Sequence, residues 1–200
     1  GWPDGLDNEI ASAMSELEDR TGRTFGDPEN PLLVSVRSGA SVSMPGMLDT
    51  VLNLGVNSNT MLGLEMAIDD RFALDCRRRF LESYAKVVMS VRSDFGSLVE
   101  AATRTAGVSR TADLSVAELG QLLELIESTT IEEAGKPVPE DPYEQLFGAV
   151  RAVFESWLGD RAVAFRRREG LSDEMGTACT IQAMVFGNRS DLSGTGVAFT

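Results

Sequence analysis

The sequence predicts an α+β fold in which a small strand-forming core carries a large helical insertion. Two apolar runs near the start of the chain, residues 32–36 and 51–54, have the length and composition of buried strands. From about residue 57 to residue 170, apolar side chains recur instead at helical spacing. A strand-like run returns at residues 176–187. We therefore expect three parts: residues 1–56, residues 57–170 as a helical subdomain, and residues 171–200.

An amphipathic helix precedes the first strand. Ile10 and Met14 fall on one face of this helix, and acidic side chains cover the other. Asp7 is a suitable N-cap, and Gly22 is suited to end the helix. We expect this helix to be structural.

The helical subdomain contains clear helix start signals. One long helix is predicted over residues 70–106 from a continuous apolar stripe. Ser115 and Glu118 form a capping box before the next helix. Asp141 followed by Pro142 predicts the start of another, because proline is favoured at the first helical position.

Arginines occur as two triplets, residues 77–79 and 166–168. Consecutive helical residues point in different directions, so at most one or two members of each triplet can face a common site. We expect most of them to pair with nearby acidic side chains such as Glu82 and Glu169.

The end of the chain predicts a β-hairpin. Residues 176–187 and 193–200 are strand-like, and a polar turn, residues 188–191, joins them. The chain also begins without methionine and stops within an apolar run, so we expect it to be an excised piece of a longer protein.

The loop after the first strand is the best candidate for chemistry. The strand is predicted to end at Arg37, and a loop rich in glycine and serine follows, with Pro45 and Gly46. A guanidinium beside such a loop is suited to hold phosphate, but an ordinary hairpin with arginine at its tip fits equally. Asp49 is the best-placed carboxylate for acid–base work, and a turn or capping role is the alternative.

Composition excludes several functions. The net charge of −13 argues against a nucleic-acid surface, and the absence of histidine removes Ser-His and Cys-His nucleophile pairs. No P-loop or Gly-x-Gly-x-x-Gly motif is present. Cys76 and Cys179 lack metal or redox spacing, and no run is long enough to span a membrane. We expect a cytoplasmic protein with reduced thiols.

Several segments together resemble the nucleotide-binding domain of the pyruvate, phosphate dikinase family. The matching segments are residues 34–40 (Val-Ser-Val-Arg-Ser-Gly-Ala), 43–55, 71–80, 152–157, 161–162, 165–167, 182–188 and 193–200. The resemblance implies an incomplete ATP-grasp core with a large helical insertion subdomain. It also implies that the parent enzyme converts ATP, phosphate and pyruvate into AMP, pyrophosphate and phosphoenolpyruvate through a phosphohistidine carrier.

The resemblance assigns site residues. Arg37 matches a phosphate-binding arginine, and Arg78, or Arg79, matches a position facing the transferred phosphoryl group. The cofactor-binding residues that it implies beside Arg37 lie in the covering loop and in the adenine-side strand: Pro45, Gly46, Met47, Asp49, Gln182, Met184 and Val185.

The resemblance also implies what this chain lacks. The ATP-gripping lysine lies upstream of Gly1, and the acidic Mg²⁺ ligands lie beyond Thr200, so no metal ligand is assigned here. The expected partners are ATP with Mg²⁺, phosphate and the phosphohistidine domain of the parent, which we expect to be a homo-oligomer. We expect no turnover by this piece alone and no nucleic-acid or membrane partner. A phosphoenolpyruvate synthase-type dikinase and a non-catalytic nucleotide-binding or regulatory module stay open as alternatives.

Overall fold

A three-stranded antiparallel sheet lies at the centre of the structure, a computed structural model that describes residues 2–44, 46–190 and 192–196. Its strands are β3 (Val34–Gly39), β4 (Thr50–Leu54) and β5 (Ala178–Ala183), in the order β4-β3-β5. A small parallel pair, β1 (Thr24–Phe25) and β2 (Pro31–Leu32), lies beside it. This mixture of helices and strands agrees with the predicted α+β class.

The described helices surround this sheet. They are α1 (Leu6–Thr21), α2 (Ser58–Ala67), α3 (Asp70–Val87), α4 (Phe95–Ala106), α5 (Val116–Ala134), α6 (Pro142–Ser156) and α7 (Asp160–Glu169). The largest hydrophobic cluster joins helices to the sheet and contains Val34 and Val36 of β3, Phe80 of α3 and Val150 of α6; two smaller clusters include Leu64 of α2 and Ala162 of α7. All of these side chains are almost completely buried. The apolar stripes of the helical region are therefore core.

Register determines which side chains of the sheet face outwards. Ser35 lies opposite Gln182, and Arg37 lies opposite Thr180 on β5 and Thr50 on β4. Successive strand residues point to opposite faces. With Val34 and Val36 in the core, Arg37 and its cross-strand neighbours point to the other face.

Several predicted boundaries are wrong. The helix predicted over residues 70–106 is two helices, because the chain turns at Ser90, which has a φ of 60°, and restarts where Asp94 caps α4. Helix α1 has Gly5 rather than Asp7 as its N-cap. Strand β3 continues through Arg37 to Gly39, because β5 supplies hydrogen-bond partners along its whole length. Of the predicted hairpin, the first strand forms as β5. Residues 193–196 of the second are not in a strand, and residues 197–200 lie outside the described residues.

Candidate functional site

Arg37 is an exposed cation in the middle of the outward sheet face. Its Nη1 donates a hydrogen bond to Gln182 Oε1 at 3.4 Å. Among the described residues, no carboxylate lies within ion-pair distance of Arg37. The sheet thus brings two predicted site residues together and leaves most donors of the guanidinium available to an anion.

Residues 40–49 form the covering loop, which lies between β3 and β4. Its Met44 is buried against Trp157 and Ala162, with Met47 and Leu48 packed beside them. The loop is therefore held against the end of α6 and the start of α7. Gly46, by contrast, is exposed, has a φ of 72° and has no neighbouring atom where a Cβ would stand. Pro45 lies outside the described residues.

Asp49 anchors the base of the covering loop. Its Oδ1 accepts a hydrogen bond from Arg161 Nη2 at 2.9 Å, and its backbone N–H donates to Ser156 Oγ at 3.4 Å. Arg161 also reaches the carbonyl of Gly46 at 3.5 Å. These contacts with two neighbouring elements favour an anchoring role for Asp49.

The two candidate arginines on α3 differ sharply. Arg78 is 6% exposed, and its guanidinium contacts Asp75 at 2.7 Å and Glu82 at 2.6 Å. Arg79 is half exposed and donates through Nε to the other oxygen of Asp75 at 2.8 Å. A phosphoryl contact by either residue stays a prediction, and Arg79 is the more accessible of the two.

The chain leaving β5 carries the remaining predicted residues. The Met184 N–H donates to the Leu33 carbonyl at 2.9 Å, which continues the sheet pairing for one more residue. Val185 is 83% exposed. Phe186 then packs edge-on against Phe72 of α3, with ring centroids 5.0 Å apart. This segment is fixed at its ends and exposed at Val185.

A cavity of about 200 Å³ lies between β4, α3 and residues 184–188, with Leu52, Asn53, Cys76, Arg79 and Met184 among its lining residues. Leu52 is two residues from Thr50 along β4, and Met184 is two residues from Gln182. Alternation therefore places the cavity on the same sheet face as Arg37. Burial, with the nearby Asp75 charge, raises the pKa of the Cys76 thiol to about 12, so this thiol is uncharged at neutral pH.

Within residues 2–44, 46–190 and 192–196, no cluster of three or more acidic or cysteine side chains is arranged to hold a metal ion. No helix in the same residues combines the length and apolar character needed to cross a membrane.

The family described as "Pyruvate phosphate dikinase, AMP/ATP-binding domain" matches residues 1–200. The chain belongs to this family. It is 46% identical over 201 residues to "Pyruvate, phosphate dikinase" of Giardia intestinalis, covering 100% of this chain and 23% of the relative. It is 46% identical over 199 residues to "Pyruvate, phosphate dikinase 1, chloroplastic" of Arabidopsis thaliana, covering 99% and 21%. With "Pyruvate, phosphate dikinase" of Clostridium symbiosum it is 45% identical over 198 residues, covering 98% and 23%.

This chain of the dikinase AMP/ATP-binding family thus spans under a quarter of the length of these relatives. The resemblance found in its sequence is confirmed. Sequence reasoning missed Asn53, which lies in an apolar run that reads as ordinary strand. An asparagine between Leu52 and Leu54 was the available signal, because a polar residue at a buried strand position requires a partner.

Proposed function

We propose that this chain is the phosphate-gripping part of the ATP-grasp domain of a pyruvate, phosphate dikinase. The longer enzyme converts ATP, phosphate and pyruvate into AMP, pyrophosphate and phosphoenolpyruvate through a phosphohistidine carrier. The single observation that carries the proposal is the environment of Arg37. Its guanidinium is exposed and has no carboxylate partner among the described residues, and it lies on the sheet face that also bears the cavity.

Arg37 binds a β- or γ-phosphate of ATP in this proposal. A guanidinium offers several donors in a fixed plane, which suits phosphate oxygens. The covering loop supplies a second set of donors. Gly46 at its exposed tip lets backbone N–H groups approach the phosphates closely, since no side chain stands there. Gln182 orients Arg37, and Met184 and Val185 lie on the side of the base.

As the resemblance implies, we assign Mg²⁺ to the nucleotide phosphates and to residues of the longer protein, and we derive no step through it from this chain. Phosphoryl transfer depends on positioning and on neutralisation of charge. This chain supplies part of the positioning, so we expect no turnover from the 200 residues alone.

The remaining assignments belong to the same proposal. Residues 57–170 form the helical insertion between residues 1–56 and residues 171–200 of the ATP-grasp core. The partners are ATP, phosphate and a phosphohistidine domain, in a homo-oligomeric enzyme. A cytoplasmic location is proposed with them, although the Arabidopsis relative is named as a chloroplastic protein.

The test is product analysis on the longer protein supplied with ATP, pyruvate and Mg²⁺, with and without inorganic phosphate. We expect AMP, pyrophosphate and phosphoenolpyruvate in equal amounts, and only when phosphate is present. Phosphoenolpyruvate formed without added phosphate contradicts the proposal and indicates a synthase-type reaction. A protein that binds ATP but forms no product in either mixture contradicts it in favour of a non-catalytic module.

A further inference from the structure

Asn53 occupies an unusual position on β4. Three steps along β4, from Val51 to Leu54, oppose two steps along β3, from Val36 to Val34, so β4 contains a bulge. Asn53 lies in this bulge with a φ of 56°, in the left-handed region that asparagine tolerates better than most residues. A bulge redirects a side chain, and here it turns the amide of Asn53 towards α3.

The amide of Asn53 has one partner and one unsatisfied atom. Its Nδ2 donates to the Cys76 carbonyl at 3.1 Å, while Oδ1 is a buried side-chain atom with no hydrogen-bond partner. Exchanging the two amide atoms would place two acceptors against each other, so the Cys76 carbonyl fixes the orientation. Asn53 is 2% exposed, and an unpaired buried acceptor carries a free-energy cost.

The cavity beside Asn53 suggests what satisfies this acceptor. At about 200 Å³ it is smaller than the roughly 300–1,000 Å³ of a whole ligand site, so it suits one ring system of a larger ligand. The uncharged Cys76 thiol and the apolar Met184 and Phe186 favour an occupant with a flat apolar surface. Arg79, which also lines the cavity, makes a cationic occupant unfavourable. A neutral N–H donor on an aromatic ring meets all of these conditions.

We propose that Asn53 selects a 6-aminopurine over a 6-oxopurine, with its Oδ1 accepting a hydrogen bond from the 6-amino group of the base. The inference rests on the proposed ATP-binding function and adds a specificity-determining residue to it. Oδ1 has almost no accessible surface, so the base reaches it only after the cavity lining, which includes the exposed Val185, moves to admit the ring.

The test compares dissociation constants of the longer protein for ATP, purine riboside triphosphate, which lacks the 6-amino group, and inosine triphosphate, which has an oxygen there. We expect purine riboside triphosphate to bind roughly 10-fold more weakly than ATP, since one hydrogen bond to a buried acceptor is lost. Inosine triphosphate should bind more weakly still, because two acceptors then face each other.

Two substitutions assign the effect to Asn53. Asn53→Gly keeps the left-handed backbone but removes the acceptor, and it should bring ATP and purine riboside triphosphate to within about 2-fold. Ser90→Gly is the matched control, because Ser90 has a φ of 60° but is exposed and does not line the cavity. It should leave the order of the three nucleotides unchanged.

The outcomes separate this inference from the proposed function. If the wild-type protein binds none of the three nucleotides, the proposed function fails. If it binds ATP and purine riboside triphosphate equally, or if Asn53→Gly keeps the full preference, ATP binding stands and the inference is overturned, with water as the partner of Oδ1. Should Asn53→Gly not fold, the three wild-type dissociation constants decide alone, and equal binding of ATP and purine riboside triphosphate overturns the inference.

Discussion

Arg37 and Arg166 are the same residue type in opposite settings. Arg37 is exposed on the sheet, and among the described residues its one side-chain hydrogen bond goes to Gln182 at 3.4 Å. Arg166 on α7 is 1% exposed, donates to Asp173 Oδ1 at 2.6 and 2.8 Å and to the Trp157 carbonyl at 2.7 Å, and stacks 4.0 Å from the Trp157 ring. Arg78 resembles Arg166, since it is buried between Asp75 and Glu82.

The contrast separates arginines whose donors are used within the fold from one whose donors are largely available. A buried guanidinium loses its hydration, so its donors must be taken by carboxylates or carbonyls. The donors of such an arginine are used within the fold. An exposed arginine keeps its hydration, so its donors can remain unpaired until an anion binds. In a chain with a net charge of −13, burial and pairing therefore show which arginines are used within the fold, and position on the sheet distinguishes Arg37 from other exposed arginines such as Arg104.

The largest effect on stability is expected from Arg166→Met. The change removes three hydrogen bonds and leaves the Trp157 carbonyl without this donor, so the free energy of unfolding should fall by about 3 kcal/mol. Chemical denaturation measures it. Arg168→Met is the control, because Arg168 is exposed, pairs with its neighbour Glu169 and lies 5.2 Å from the centre of the Phe165 ring, and it should change stability by less than about 0.5 kcal/mol. If both variants lost the same unfolding free energy, the proposed difference between buried, paired arginines and exposed arginines would be wrong.

A smaller, pH-dependent effect is expected at Asp75. Burial alone raises the pKa of this carboxyl, but Arg78 and Arg79 outweigh burial and hold the pKa below its usual value of 3.8. The ionised form therefore stabilises the fold above pH 3.8, and this contribution is lost as the pH falls through the lower folded-state pKa.

Asp75→Asn tests this sign. At pH 7 it should cost about 2 kcal/mol, because Arg78 loses a charged partner. The difference in unfolding free energy between wild type and variant should stay constant from pH 7 to pH 5 and shrink below about pH 4. A difference that grows on acidification would show that Asp75 is not ionised in the folded protein.

The smallest effect is expected from Arg161→Ala. The Arg161–Asp49 pair is largely exposed, with 65% of the Arg161 side chain accessible, so its loss should cost about 0.5 kcal/mol and less at high salt. Thermal melts at low and high salt measure it. A loss of several kcal/mol would place Arg161 with the buried arginines, contrary to the geometry.

Local signals in the sequence predicted much of this fold. The capping box of Ser115 and Glu118 and the start at Asp141 and Pro142 appear as predicted. The break at Ser90 was missed because the apolar stripe continues across it, although Asp94 carried a usable start signal. The pairing of β3 with β5 joins residues more than a hundred positions apart, and no local pattern encodes such a contact.

The candidate site was predictable only in part. Arg37 and the covering loop were found because a strand followed by glycine and serine is a visible pattern. The pairing of Arg78 with two carboxylates, the commitment of Asp49 to Arg161 and the unsatisfied atom of Asn53 depend on side-chain contacts across the fold. Residue type alone does not show whether a charged group is already paired within the fold or can still bind a ligand.

The most direct test of this account is the affinity of the longer protein for ATP in the Arg37→Ala variant, measured together with its melting temperature. Arg104→Ala, at an exposed position on α4, is the control. We predict that Arg37→Ala weakens ATP binding roughly 10- to 100-fold, as loss of a charged hydrogen-bond donor should, with the melting temperature unchanged and Arg104→Ala indistinguishable from wild type. Unchanged affinity, or a fall in melting temperature like that expected for Arg166→Met, would contradict the account.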